Sequence, residues 1–245
     1  MKEIPEKLKQ YEEYLRSTEK PSVEITFKRG DTLPWESKCG GCPYLTSEND
    51  YPRDDEGRPM MFLAQINLDE MPPLPDFPEH GLLQFYIGDD DYFGGDSACK
   101  VVYIPEYKKD ASVLLTENPF ENSYMGMTPF AAEGKMKFKP SSRFICTECQ
   151  DFNDKFENKV SEDKWDALYK VCYAADSRVG GYPLFVQSAP AYYDNGKFTE
   201  VLLQLDCDDE CEIMFGDSGN CYFLISKEDL INRSFDNVEY GWQCC

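Results

Sequence analysis

The sequence predicts a mainly β protein of the α+β kind, an internal duplication of one mixed, mostly antiparallel β unit with a few peripheral helices. Three observations carry this expectation. Residues 40–45 read GGCPYL and residues 180–185 read GGYPLF. FLAQINLDE (62–70) follows the first and VLLQLDCDD (201–209) the second, and a glycine-opened apolar run closes each copy, GLLQFYI (81–87) and GNCYFLI (219–225). Pro43 to Gln65 spans 22 positions against 21 from Pro183 to Gln204, and Gln65 to Gly81 spans 16 against 15 from Gln204 to Gly219. Landmarks held in register within one residue indicate a repeated unit.

The elements follow in order. Pro5 suits a first helical turn, and Ile4, Leu8, Tyr11 and Leu15 recur at helical spacing, which predicts a helix over about 5–18. Pro21 ends it, and VEITF (23–27) alternates as a strand; this opening is expected to lie as an arm or lid across the body. The first repeat runs from about 39 to 104. Its Gly-Gly-Cys-Pro step predicts a tight turn, MFLAQINL and GLLQFYI are strands, and KVVYI (100–104) is a hairpin partner. Residues 105–159 show mixed periodicity. A linking helical segment over about 150–175 contains the clearest helix, from Ser161 to Ala175, with Ser161 as its cap and Trp165, Leu168, Tyr169 and Cys172 as its apolar face. The second repeat takes about 179–245: strand TEVLLQL, strand YFLI, a turn at Ser226–Asp229 with capping-box spacing, and an alternating tail through Phe235, Val238, Tyr240 and Trp242. One domain spans 1–245.

Composition narrows the function classes. With 25 basic and 46 acidic residues the formal net charge is -21, a field that repels nucleic acid and anionic lipid and draws in cations. Neither nucleic acid nor membrane is expected as a partner. No apolar run approaches the roughly 20 residues that cross a bilayer, and the charged N-terminus lacks a signal peptide's apolar centre. A cytoplasmic protein follows. Eleven cysteines, an odd number, then read as reduced thiols rather than a disulfide framework.

The strings SKCGGCPYL, GRPMMFLAQINLDEMPPLPDFPEHGLLQFYI, VGGYPLFVQ, VLLQLDCDDE, MFGDSGNCYFLI and the terminal WQC resemble the YwqG family, domain of unknown function 1963, from about residue 22 to the end. The resemblance implies a duplicated β-rich fold in a cytoplasmic protein and brings no established activity. Cys39, Cys42, Cys207 and Cys221 depart from the family pattern, so a role built on them would belong to this branch alone.

Four constellations are candidates for chemistry. GDSGN (216–220) has the string found around some serine nucleophiles, and the sole histidine, His80, falls opposite Ser218 in the repeat alignment. A Gly-Asp-small-Gly turn into a strand accounts for the same string. Cys39/Cys42 and Cys146/Cys149 have zinc-knuckle spacing, but 104 residues separate the second pair from the first, far beyond usual ribbon sites; buried thiols are the competing reading. Asp89, Asp90, Asp91 and Asp96, and Asp206, Asp208, Asp209 and Glu210, are carboxylate clusters without the EF-hand spacing, readable as calcium ligands or as solvated turns. Gln65 and Gln204 each sit inside an apolar strand. Either each ties its Gly-Gly-x-Pro turn to the sheet, or both line a cleft between the repeats walled by Trp35, Tyr182 and Trp242.

The sequence thus favours a non-catalytic binding protein that uses acidic loops and an inter-repeat cleft, where Trp35, Gln65, His80, Tyr182, Gln204, Asp217, Ser218 and Trp242 are the candidate residues. Its expected ligand is a basic protein or a small polar or peptide molecule. No cofactor is expected, structural zinc at Cys39, Cys42, Cys146 and Cys149 being the one the spacing admits. The alternatives are an enzyme with a carboxylate- or thiol-based site in that cleft and a zinc-stabilised structural protein.

Overall fold

The computed structural model describes residues 3–47, 50–90, 92–95, 99–115, 118–120 and 128–245. Among the described residues ten strands form one antiparallel, nearly closed sheet: β1 (Lys20–Arg29), β2 (Lys38–Cys39), β3 (Met61–Asn67), β4 (Leu82–Ile87), β5 (Cys99–Ile104), β6 (Gly134–Arg143), β7 (Ser177–Gly180), β8 (Glu200–Leu205), β9 (Asn220–Ile225) and β10 (Val238–Gln243). Their order is β10-β9-β8-β7-β1-β6-β2-β3-β4-β5. The sheet therefore reads the same from both edges, four strands of each half flanking a central pair. At the closing seam Cys99 Sγ lies 3.4 Å from the Val238 carbonyl, and the Tyr103 and Phe235 rings meet at 5.4 Å.

Two expectations need correction. The opening strand is not an arm or lid: β1 is central, paired with β6 over ten residues and with β7 on its other side. Residues 105–159, which look unpatterned in sequence, hold β6. Its lysines 135, 137 and 139 alternate with Met136 and Phe138, so only two apolar residues mark its inward face before Pro140 interrupts the pattern. The hairpin β4–β5 and the pairing of the C-terminal tail on β9 are as the alternation predicts.

One apolar core fills the space between the half-sheets, where Leu63, Phe85, Leu203 and Phe223 are fully buried and the Phe85 and Phe223 rings lie 5.1 Å apart. A second core lies outside the second half, under the helices. A 3-10 turn (Glu6–Tyr11) leads into α1 (Glu12–Ser17), and the stripe Ile4, Leu8, Leu15 packs there with Phe152 and Phe156 of α2 (Gln150–Phe156). In α3 (Glu162–Cys172) Ala167, Leu168, Val171 and Cys172 are buried, while Tyr169 stacks on Tyr173 at the surface. Ser161 stands at the cap position, yet its hydroxyl donates to Asp163 Oδ1 at 2.6 Å instead of accepting a backbone N–H. Short helices α4 (Ala191–Asp194) and α5 (Lys227–Ile231) follow. The Ser226 cap of α5 is formed, with Asp229 N–H donating to Ser226 Oγ at 3.0 Å and that hydroxyl donating to Asp229 Oδ2 at 2.8 Å. Among the described residues no helix is long and apolar enough to cross a membrane.

Burial fixes the alkaline limit of this fold. Burial pushes the phenols of Tyr86, Tyr193 and Tyr240 and the thiol of Cys39 well above their ordinary values. Folded protein keeps these protons where the unfolded chain releases them, at about pH 9 to 10, so stability is intact below that range and falls as pH rises through it. The last rise in tyrosinate absorbance, from the buried rings, should coincide with the loss of circular dichroism in one cooperative step. Full phenol ionisation in a chain that keeps its far-ultraviolet spectrum would contradict this.

Candidate functional site

The site grows from the Gly-Gly-x-Pro turn, which both halves build alike. Lys38 stands opposite Gln65 in the β2–β3 ladder, and Arg178 opposite Gln204 in β7–β8. Gln65 Oε1 accepts from Tyr44 N–H at 2.9 Å; Gln204 Oε1 accepts from Leu184 N–H at 2.7 Å. Each amide nitrogen donates to backbone ahead of its turn, Gln65 to the Pro34 and Glu36 carbonyls and Gln204 to that of Asp176. The buried cation closes the loop: Lys38 Nζ donates to the Cys42 carbonyl at 2.8 Å, Arg178 Nη1 to the Tyr182 carbonyl at 2.7 Å. Ser37 and Ser177 hydroxyls accept from Asn67 and Asp206 N–H. The four turn glycines have φ between 68° and 71°, left-handed values that a side chain disfavours. Bulges interrupt β3 after Phe62 and β8 after Val201.

The third landmark glycine also has a physical role. A Cβ on Gly81 would lie 2.5 Å from the Ile104 carbonyl oxygen, and one on Gly219 would lie 2.2 Å from that of Gln243. In each half the entry to the second strand passes against the end of the third.

Lys38 and Arg178 were missed at the sequence level. The signal was present, a basic residue two positions before Gly-Gly in both SKCGG and SRVGG. Both glutamines are fully buried with their amides engaged, so they tie turn to sheet and do not line a groove. The interior between the halves is packed core; cavities between them lie at the rim, one of about 170 Å³ with Leu74 and Phe77 facing Gly180 and Gly181, another of about 180 Å³ at Lys100 and Phe235.

The other predicted site residues disperse. Trp35 packs with Tyr44, Leu82 and Leu114, and its carbonyl accepts from Asn67. His80 is exposed and pairs with Asp69 at 2.8 Å beside Tyr107. Asp69, chiefly through that hydrogen bond, raises the His80 pKa. Ser218 is an exposed turn residue at φ 56°. The neighbouring Asp217 carbonyl accepts from Cys245 N–H at 3.3 Å, which anchors the chain's last residue to that turn. Trp242 donates to the Tyr92 carbonyl and packs on Tyr92 and Phe93. His80 and Ser218 therefore sit in separate surroundings, each explained by its own corner.

Asp90 and Asp208 of the acidic clusters serve local turns. Asp90 Oδ1 accepts from Tyr92 and Gly94 N–H, and Asp208 Oδ1 from Cys211 N–H; Asp91 and Asp96 lie outside the described residues. Cys39 is in the inner core, Cys146 and Cys149 are in the outer one and half-buried Cys42 is in neither, so the four thiols share no cluster. Among the described residues no group of three or more His, Cys, Asp or Glu is arranged to hold a metal.

The equivalent turns differ in their cover. Over Gly40–Gly41 lie Phe130 and the Glu133 carboxylate, and Asn118 Nδ2 donates to the Gly41 carbonyl. At the second turn, Gly180 and Gly181 line the 170 Å³ rim cavity and Tyr182 lines a larger one of about 460 Å³. Tyr14 of α1, Lys20 of β1, Cys149 and Asp151 at the start of α2, and Tyr193 and Asp194 of α4 complete much of that wall. Lys20 Nζ is 3.1 Å from Glu200 and 4.9 Å from the Tyr182 ring centre. Burial raises the Tyr182 and Tyr193 phenol pKa values, so both rings are neutral at physiological pH. The cavity combines aromatic faces with two carboxylates beyond the one that neutralises Lys20.

The family model for Domain of unknown function (DUF1963) matches residues 37–244. The chain belongs to this family. The matched stretch of the DUF1963 domain begins at Ser37, so β1 and α1 precede it although β1 lies at the centre of the sheet. No match was found among curated proteins.

Proposed function

We propose that this DUF1963 chain is a non-catalytic binding protein of the cytoplasm that takes a cationic side chain, such as a lysine of a basic partner, into the cavity beside Tyr182. The observation that carries the reading is a 460 Å³ cavity with Tyr14, Tyr182 and Tyr193 next to Asp151 and Asp194. A cation over a tyrosine face gains about 0.5–2 kcal/mol. The protein's own ammonium groups already use two of these rings, Lys20 over Tyr182 and Lys155 over Tyr14 at 4.9 and 4.6 Å. The net charge of -21 steers such a ligand inward. Eleven free thiols suit a reducing compartment. The matching turns are read as two copies of one unit, of which the second has kept an open face.

Calorimetric titration with N-acetyl-lysine amide at low salt tests this. Replacing Asp151 and Asp194 together by Asn should weaken binding about tenfold, or ~1.4 kcal/mol, with the thermal midpoint unchanged. Acetylation of the ligand's ammonium should abolish the heat. Equal binding of the charged and acetylated ligands would overturn the reading.

A further inference from the structure

We propose that Cys146 and Cys149 form a dithiol that exchanges with small cationic disulfides entering the cavity beside Tyr182. The cysteines bracket the Thr147–Glu148 turn between β6 and α2. A four-residue turn holds its outer Cα atoms within ~7 Å, close to the ~4.4–6.8 Å that a disulfide spans. In the resting pair the Cys149 thiol donates to the Cys146 carbonyl at 3.0 Å, a bond given up when the thiolate forms. Both cysteines are buried among the apolar residues beneath the helices, and Cys149 also lines the cavity.

The thiols have different roles. A hydrogen bond from Cys146 holds the Cys149 pKa below the ordinary thiol value; burial opposes this, the Phe152 N–H assists it, and Asp151 and Asp194 oppose it. The same bond, and then burial, pushes the Cys146 pKa well up. Cys149 is the attacking thiolate and Cys146 the resolving group.

In the first step Cys149 S⁻ bonds to one sulfur of RS–SR, the S–S bond breaks, and the departing RS⁻ takes a proton from water. Cys146 then releases its proton to water and bonds to Cys149 Sγ, expelling the second RS⁻, which is protonated in turn. Two protein thiols are oxidised by two electrons and one disulfide is reduced to two thiols. The preference for a cationic disulfide rests on the reading of the cavity given above; the dithiol chemistry does not.

Cystamine, a dicationic disulfide, is the probe, followed by acid quench, digestion and mass spectrometry. Folded protein should acquire a Cys146–Cys149 disulfide, and Cys146→Ser should stop at a half-cystamine adduct on Cys149. Dithiodiglycolate, a dianion, should react at this pair at least about tenfold more slowly, as expected where the cavity's charge governs access. Cys146→Ala repeats the trapping experiment if serine in the apolar cluster unfolds the chain, with circular dichroism checking both variants. Modification of exposed Cys207 and Cys245 with Cys149 untouched until denaturation would overturn the proposal. Equal rates with the two disulfides would keep the dithiol and overturn the charge preference alone.

Discussion

Arg178→Ala should cost ~3–5 kcal/mol of folding stability, the loss expected when one partner of a buried charged network is removed. The side chain is 2% exposed and its donors end on the Asp176 carboxylate and on the Ala174, Asp176 and Tyr182 carbonyls. Deletion leaves the Ala174 and Tyr182 carbonyls without that donor, the Asp176 carbonyl keeping its bond from Gln204, and opens a cavity where a large side chain stood. Arg143, which also bonds Asp176, shares that carboxylate but replaces none of the bonds from Arg178 to the turn. For a domain of this size the thermal midpoint should drop by roughly 6–20 °C. Arg178→Lys keeps the charge without the planar fork and should recover part of the loss. Lys38→Ala, which removes one bond to the Cys42 carbonyl, should cost less, about 2 kcal/mol. Chemical denaturation of the three variants checks the order. An Arg178→Ala loss of about 1 kcal/mol or less, a thermal shift of only about 2–4 °C, would contradict it.

The second large effect belongs to the paired glycines. Alanine at Gly219 places a carbon 2.2 Å from the Gln243 carbonyl and 2.4 Å from that of Phe215, both backbone atoms. Alanine at Gly81 meets the Ile104 carbonyl at 2.5 Å and must also hold φ at 97°. Neither obstacle is a flexible side chain, so the strand end itself must move. Each substitution should destabilise by about 3 kcal/mol. Gly57→Ala, which meets nothing within 4 Å at φ 79°, isolates the cost of the backbone angle and should be milder. Denaturant midpoints for the three proteins test the ranking, and a Gly57 variant as damaged as the other two would remove the steric argument.

Much of the frame was legible because its signals are local. The spacing of Gly-Gly, Gln and Gly marks turn, tie and strand entry in both halves, and the alternation of GLLQFYI and KVVYI marks a hairpin. The glutamines also carried their own ambiguity: an amide inside an apolar strand must be satisfied, but only the fold shows whether backbone or a ligand satisfies it. The central place of β1 was not legible, because a ten-residue pairing with β6 crosses more than 100 positions and β6 exposes its lysines. The cavity was harder still. Tyr14, Asp151, Tyr182 and Tyr193 come from four separate segments, and no periodicity links them. Of the eight residues expected in a cleft, Tyr182 alone lines this cavity, while His80 lines another.

The most direct test of the central claim is nuclear magnetic resonance of protein labelled in its tyrosine rings, titrated with N-acetyl-lysine amide. The ring signals of Tyr14, Tyr182 and Tyr193 should shift together and saturate, with the acetylated ligand producing no change. Silence at those three rings, with saturable shifts instead at Tyr107 beside the His80 cavity, would contradict the account.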